Sequence, residues 1–429
     1  MINIFNKNAA KFVSILTIFA ISTAVSGETI FLSDQLRPVA EAQKVRDIIL
    51  KNAPDATEFI PEEGPILVTK VIAEQKAGKG TAHVIGSLHG TFPVLDNAEA
   101  LSDVSSLMNR IASRGYSQKF IELGKLGSSE QKYIPWMQAT YIMAANKKAM
   151  KYLPQGADIN SLSYTQLKQW AKNIYDETGN RALGFPAGPK GLMHRFFQGY
   201  LYPSFTDGVV RTFKSTDAES MWAEFKDLWQ YVNPRSTAYD AMNEPLLAEE
   251  VWIAFDHTAR LKDAFVGKPN DFVGFAAPAA KHGRGFMPVI VGLAIPNTTP
   301  DRAASERLID HLTKSSTQSA TLRAVGFYPV VKASTRGLPA DVRISAAAIQ
   351  AQANAPDANP GLLPVGLGDK SGAFSKVYRD TFQLIVLEDK AIRSTLRKQA
   401  RALNRIMRQT GAPCWDPDAS SNGKPCPVE

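Results

Sequence analysis

Short apolar segments and amphipathic helical segments alternate through the first ninety residues of the chain. Residues 28–33, 57–60 and 83–88 carry the apolar runs that are typical of buried strands. Between them, residues 34–51 and 61–72 place apolar side chains at helical spacing. Strands that alternate with helices favour a parallel α/β sheet, in which ligand contacts lie beyond the ends of the strands.

A chain of 429 residues is longer than one compact core usually holds, so we expect two domains. The 44% of hydrophobic residues and 21% of charged residues are ordinary for a globular protein. The formal net charge of +8 is a modest basic excess. Much of this excess lies in one late helical region, residues 375–408. A row of basic side chains on a helix is typical of a solvated helix face. We therefore expect no nucleic-acid partner.

Residues 1–26 have the organisation of a secretory signal peptide. Lys7 and Lys11 precede an apolar run over residues 12–21, and the small residues 24–26 form a plausible cleavage site. The apolar run is shorter than the roughly 20 residues that cross a bilayer. We expect export of the chain, and an uncleaved membrane anchor is the alternative.

Cys414 and Cys426 are the only two cysteines, and they flank an irregular C-terminal segment. In an oxidising compartment we expect them to form a disulfide that closes the tail. A metal or redox role is not favoured, because the chain has no Cys-x-x-Cys pair and no nearby histidine.

Residues 132–146 form an extended apolar run that is too long for one domain, and we interpret it as a crossing into a second lobe. Trp136 and Gln138 lie two residues apart on this run, so both side chains should point to one face. An indole packs on the apolar face of a sugar ring, and an amide satisfies its hydroxyls. Trp136 and Gln138 are therefore candidate ligand contacts, and a packed core position is the alternative for Trp136.

The segment from Ala248 to Val331 predicts a strand, a polar turn and a return crossing. The strand over residues 250–255 is followed by three polar residues, Asp256, His257 and Arg260. Asp256 is placed to cap a helix that begins near His257, and His257 and Arg260 share one face of its first turn. A ligand hydroxyl there would meet Asp256 as acceptor and Arg260 as donor. The alternative is a plain helix cap and a surface salt bridge.

Four further residues are weaker candidates for ligand contacts. Phe92 and His89 follow the third predicted strand, and Glu122 ends a predicted strand over residues 119–123. Arg284 lies in a Gly-Arg-Gly turn, and a plain turn residue is the alternative.

Enzyme motifs are missing from the sequence. There is no Gly-x-Ser-x-Gly, no His-Glu-x-x-His, no phosphate-binding loop and no dinucleotide-binding glycine triplet. We therefore expect no catalytic residues, no metal and no cofactor. A secreted glycoside hydrolase stays an alternative, because two catalytic carboxylates meet in space and not in sequence.

The chain resembles the extracellular solute-binding proteins of sugar ABC importers, the maltose-binding-protein-like group, over essentially its whole mature length. The resemblance is carried by residues 133–147, 250–260 and 277–296, and by the tail around residues 414–428. It implies a two-lobed α/β protein with the type II periplasmic-binding-protein fold and a ligand cleft between lobes joined by hinge crossings.

Within that fold we expect the first lobe to contain residues 27–136 and 256–325. The second lobe is expected to contain residues 137–255 and helices over 326–410, before a disulfide-closed tail over 411–429. The resemblance further implies a periplasmic, monomeric receptor that captures a carbohydrate and delivers it to ABC transporter permease subunits. A receptor for another solute, such as a polyamine, is an alternative.

Overall fold

The computed structural model describes residues 28–35, 39–334 and 337–429. The expected signal peptide, residues 1–26, lies outside the described residues. Within the described ranges the strands are β1 (Thr29–Ser33), β2 (Thr57–Pro61), β3 (Val84–Leu88), β4 (Ile134–Ala139), β5 (Tyr141–Asn146), β6 (Leu183–Gly184), β7 (Ile253–His257), β8 (Phe272–Phe275), β9 (Arg284–Phe286), β10 (Val289–Ala294), β11 (Tyr328–Pro329) and β12 (Ala358–Pro360).

The α-helices of the same ranges are α1 (Val39–Lys44), α2 (Gly64–Ala77), α3 (Phe92–Asn97), α4 (Ser105–Ile111), α5 (Gln118–Gly124), α6 (Tyr164–Thr178), α7 (Met193–Phe196), α8 (Tyr202–Thr206), α9 (Thr216–Trp229), α10 (Asn243–Leu247), α11 (Thr258–Gly267), α12 (Arg302–Leu312), α13 (Ser315–Val325), α14 (Ala340–Ala353), α15 (Ser371–Phe382) and α16 (Ile392–Thr410). A π-helical turn over Phe197–Leu201 joins α7 to α8 in one continuous rod. None of the helices in the part of the chain that the structure describes is both long enough and apolar enough to cross a membrane.

The first lobe is built on a six-stranded sheet with the order β11-β4-β10-β3-β1-β2. β1 pairs in parallel with both β2 and β3, so the predicted parallel pairing of the first three strands is confirmed. Alternate side chains of β1 enter different cores, since Phe31 belongs to one buried cluster and Leu32 to another. The sheet is therefore covered on both faces, which explains why its strands are continuous apolar runs in the sequence.

The second lobe is built on a four-stranded sheet with the order β6-β7-β5-β8. Only Thr140 separates β4 in the first sheet from β5 in the second, so the extended run that we interpreted as a crossing does pass between the two lobes. The Thr140 hydroxyl donates to the Met287 carbonyl at 2.8 Å, and its carbonyl accepts from the Thr258 N–H at 2.9 Å. These bonds tie the crossing to the return segment and to the start of α11.

The chain returns to the first sheet later than we expected. We placed residues 256–325 in the first lobe, but β8 pairs with β5 and extends the second sheet as far as Phe275. The return is complete only at β10, which pairs with β3 and β4. The reason is that β5 has two edges: β7 covers one, and β8 is needed to cover the other.

The last part of the chain is also shared between the lobes. β11, within the range that we assigned to helices of the second lobe, pairs with β4 in the first sheet. The helices that follow do pack on the second lobe, α14 against β8 and α16 against α9.

The expected strand over residues 119–123 is wrong, because this segment forms helix α5. The Ser117 hydroxyl oxygen accepts a hydrogen bond from the Phe120 N–H at 3.3 Å and caps the helix. α5 packs against β4 at the margin of the first sheet. A local cap thus outweighs a segment with only three apolar residues.

The C-terminal tail is closed by the expected disulfide between Cys414 and Cys426. Trp415 packs edge-on against Phe374 of α15, with 5.6 Å between ring centroids. The Asp418 carboxylate accepts hydrogen bonds from three successive backbone N–H groups, those of residues 209–211. The tail is therefore an integral part of the second lobe.

Candidate functional site

A cavity of about 500 Å³ lies between the two lobes, beyond the carboxyl ends of β1 and β3. Parallel strands end at the same edge of a sheet, so the polar residues that follow them come together there. The polar side chains that line the cavity are Asp34, Gln35, Glu41 and Glu63 from the first lobe, Tyr141 from the crossing, and Lys190, His194, Arg195, His257, Arg260 and Arg379 from the second lobe.

Asp34 follows β1 and ties together the ends of two strands. Its carboxylate accepts hydrogen bonds from the Ser87 hydroxyl and from the Leu88 N–H, the latter at 3.3 Å. Its carboxylate thereby holds the end of β3 beside the end of β1. Burial raises the pKa of Asp34, and its hydrogen bonds oppose that shift.

Glu41 on α1 is a buried carboxyl group, with only 7% of the residue exposed. Among the described residues it has no hydrogen-bond or ion-pair partner. Burial raises the pKa of Glu41 to about 8, while the positive charges of Arg260 and Lys44 oppose that shift. At neutral pH the group is therefore largely protonated and able both to donate a hydrogen bond to a ligand hydroxyl and to accept one.

Replacing Glu41 by glutamine should remove a pH-dependent loss of stability. The pKa of Glu41 rises from 4.5 in the unfolded chain to about 8 in the fold, so the fold binds this proton more tightly. Its contribution to stability is complete below pH 4.5 and is lost as the pH rises to about 8. We expect urea unfolding to show that the free energy of unfolding of the variant rises relative to that of the wild type across this range, by about 5 kcal/mol for a shift of this size. Glu58→Gln, an exposed site on β2, is the control, and parallel pH profiles for Glu41→Gln and the wild type would contradict the assignment.

Three arginines on three helices form the wall of the second lobe. Arg195 lies on α7, Arg260 on α11 and Arg379 on α15, and all three are half-buried. Their hydrogen bonds go to neutral acceptors: the Gln198 side-chain oxygen at 3.0 Å, the Asp240 backbone carbonyl at 2.5 Å, and one ring nitrogen of His194 at 3.5 Å.

Two histidines on the same wall are held neutral. Burial is the main cause that holds the pKa of His194 well below its usual range. The positive charges of Arg195, Arg379 and Arg260 lower this pKa further. Burial and the charge of Arg260 lower the pKa of His257 to about 3. A neutral imidazole keeps one nitrogen as an acceptor, which allows Arg379 to donate to His194.

His257, and not Asp256, caps helix α11. The His257 Nδ1 atom accepts from the Ala259 N–H at 3.3 Å. Asp256 lies within β7 and is fully buried, where its carboxylate accepts from the N–H groups of Met242 and His257 at 2.9 and 2.7 Å. We expected Asp256 to meet the ligand, but β7 runs two residues further than predicted and carries this side chain into the protein, where it connects β7 to the segment before α10.

A second cavity, of about 520 Å³, lies on the other face of the crossing from β4 to β5. Successive side chains of an extended segment alternate, so Thr140 faces this cavity and Tyr141 the interlobe one. Two of the predicted contacts, His89 and Gln138, line this second cavity. The His89 Nδ1 atom lies 2.8 Å from the Tyr133 hydroxyl, and Gln138 donates to the Pro329 carbonyl at 2.9 Å.

The structure places four other predicted contacts away from the interlobe cavity. Trp136 is fully buried and packs against Phe31, with 5.5 Å between ring centroids, so it lies in the core of the first lobe. Phe92 is also fully buried and stacks on Tyr133 at 4.5 Å. Periodicity alone does not distinguish a ligand-facing aromatic residue from a core residue on the same strand.

The two remaining predicted contacts are held by other groups. Glu122 lies exposed on α5 and forms an ion pair with Lys125 at 2.9 Å. Arg284 is buried in β9 and donates to the Ala277 carbonyl at 2.5 Å. Of the predicted contacts, His257 and Arg260 line the interlobe cavity, whereas the prediction did not include Asp34, Glu41, His194, Arg195 and Arg379. Of these five residues, only Asp34 had a local signal for this role, as a polar residue directly after a strand.

Solved structures of similar fold come from solute receptors of several bacteria. Maltose-bound MalE3 of T. maritima is 14% identical, with a TM-score of 0.70 over 88% of this chain and 99% of that chain. The GacH receptor of Streptomyces glaucescens, solved unliganded and with acarbose, is 13% identical, with a TM-score of 0.68 over 88% of this chain and 98% of that chain. UgpB from Mycobacterium tuberculosis, in complex with glycerophosphocholine, is 14% identical, with a TM-score of 0.68 over 90% of this chain and 99% of that chain.

This likeness shows that the two lobes form the type II periplasmic-binding-protein fold. No curated protein sequence matches the chain. The sequence model of the family described as bacterial extracellular solute-binding protein matches residues 58–319, which is more than half of the chain. By this match, the chain belongs to the bacterial extracellular solute-binding protein family.

Proposed function

We propose that this protein is a substrate-binding receptor that captures a carbohydrate between its two lobes and delivers it to the permease subunits of an ABC importer. The observation that carries the proposal is the interlobe cavity, which has carboxyl groups on one wall and guanidinium groups on the other. Membership of a solute-binding family supports it. So do the ligands of two receptors of similar fold, maltose and acarbose.

The chemistry of the two walls suits a molecule rich in hydroxyl groups. Asp34 and Glu41 offer acceptors from the first lobe, and Arg195 and Arg260 offer donors from the second. The rings of Tyr141 and Phe327 provide the apolar surface that a sugar ring needs. A cavity of about 500 Å³ has the size of a small-molecule site.

Binding at this position would favour closure of the lobes. A ligand that contacts both walls stabilises the closed conformation over the open one, and this is a shift of population that needs no chemical step. The single residue between β4 and β5, Thr140, lies where the lobes would pivot. The closed conformation is the one that we propose to dock on the permease.

Export to the periplasm fits the disulfide of the tail, because disulfides persist in oxidising compartments. We propose that the receptor acts there as a monomer.

A carbohydrate panel tests this function in the exported protein. The ligand should raise the free energy of unfolding by about 2.7 kcal/mol when its concentration is 100 times its Kd, and the melting temperature should rise accordingly. Chromatography of the incubated sugars should show no product. Release of a shortened sugar would support the alternative of a glycoside hydrolase, and a panel that leaves the melting temperature unchanged would contradict carbohydrate capture.

A further inference from the structure

Three guanidinium groups meet in the interlobe cavity, and none of them forms an ion pair with a carboxylate of the described residues, although the charge of Arg260 does act on the buried carboxyl groups of Asp256 and Glu41. Arg195, Arg260 and Arg379 form no ion pair there, and their hydrogen bonds go only to neutral acceptors. Their charges act together on one neighbour, His194, whose pKa they help to lower. Half-buried cations are costly unless a counter-charge accompanies them. This wall is therefore built to receive negative charge from outside the chain.

The acidic groups of the cavity leave this positive charge in place. The Asp34 carboxylate is engaged within the first lobe by Ser87 and Leu88. Burial raises the pKa of Glu41 to about 8, so this group carries little negative charge at neutral pH. Glu63 and Lys190 also line the cavity; both are exposed, and their charges are of opposite sign.

Resting on the proposed function, we infer that the ligand is an anionic carbohydrate. Its phosphate or carboxylate group lies against Arg195, Arg260 and Arg379 on the wall of the second lobe. Its hydroxyl-bearing part lies toward Asp34 and Glu41 on the wall of the first lobe. The planar guanidinium group presents paired N–H donors that match the paired oxygens of a phosphate or a carboxylate.

The aromatic lining of the cavity agrees with this assignment. No tryptophan of the described residues lines it, and its rings are Tyr141 and Phe327. Tyr141 itself stacks on Phe255 within the second lobe, with 5.7 Å between ring centroids. Charge on the second lobe, and not a broad stacking platform, therefore supplies the larger part of recognition.

Matched pairs of neutral and anionic probes test the inference by calorimetry and thermal shift. The pairs are glucose with glucose 6-phosphate, glucose with glucuronate, galactose with galacturonate, and glycerol with glycerol 3-phosphate, while inorganic phosphate is the free-anion probe. In at least one pair the anionic member should bind at least tenfold more tightly than the neutral member. Its affinity should fall as salt is added, because ions screen charge recognition. The phosphate and carboxylate pairs distinguish which anionic group the site takes.

Charge-neutral variants locate the recognition on the arginine wall. Arg195→Gln and Arg379→Gln should each lower the affinity for the anionic probe by about 10- to 100-fold, because a hydrogen bond to a charged group is lost. Both variants should change the binding of the neutral member of the pair much less. Arg401→Gln, on the exposed face of α16, is the matched control and should bind like the wild type.

The outcomes separate the inference from the function on which it rests. A neutral sugar that binds as tightly as its anionic counterpart overturns the inference and leaves carbohydrate capture standing. The same holds if the Arg195→Gln and Arg379→Gln variants bind the anionic probe like the wild type. Inorganic phosphate that binds as tightly as every sugar phosphate overturns both, as does a panel in which no probe binds.

Discussion

Replacing Trp136 by alanine is expected to lower the free energy of unfolding by about 3–5 kcal/mol, with ligand affinity nearly unchanged. The side chain is fully buried on β4 and packs against Phe31 of β1. Its indole nitrogen has no hydrogen-bond partner in the part of the chain that the structure describes, so the loss comes from apolar burial and from the cavity that alanine leaves. This result would place Trp136 in the folding core and not in ligand recognition.

Denaturant unfolding and calorimetry with the carbohydrate that binds best would measure the two effects separately. Trp252→Ala is a suitable control, because that indole is only partly buried and stacks near the surface on Tyr152. The control should lose less stability than Trp136→Ala. If the Trp136→Ala protein unfolds like the wild type but no longer binds sugar, Trp136 contacts the ligand and the expected core role is wrong.

Replacing both Cys414 and Cys426 by serine is expected to lower the free energy of unfolding by about 3 kcal/mol. The disulfide closes a loop between residues that are 12 apart in sequence, and removing it raises the conformational entropy of the unfolded chain. Within this loop Trp415 and Asp418 contact the second lobe, so fraying would also weaken those contacts. The tail should become open to limited proteolysis under conditions that leave the wild-type tail intact.

Urea unfolding of oxidised and reduced protein provides the internal control for this change. Reductant should bring the wild type to the stability of the double serine variant and should leave the variant itself unaffected. Equal stability of the variant and the oxidised wild type would show that the tail is held by its packing alone.

Much of the fold could be predicted because it rests on local patterns. The apolar runs of β1 and β3 and the capped helix α6 are visible in short windows of sequence. The long extended run over residues 132–146 likewise indicated a passage between lobes. These elements depend on periodicity and capping, which neighbouring residues determine.

The errors in the fold arose where partners distant in sequence decide the outcome. Residues 256–275 stay in the second lobe because β8 is needed at the free edge of β5. Residues 119–123 form a helix that packs on β4, although their apolar run suggested a strand. A short window of sequence determines neither strand pairing nor helix packing of this kind.

The candidate site shows the same division between sequence and tertiary structure. Local patterns in the sequence indicate an α/β chain with a crossing between lobes, a closed tail, and polar residues such as His257 and Arg260 after a buried strand. That Glu41, Arg195 and Arg379 line one cavity, and that Trp136 does not, follows only from the packing of the whole chain. The physical reason is that the cavity is assembled from elements more than 150 residues apart, whose side chains converge only when both lobes have packed.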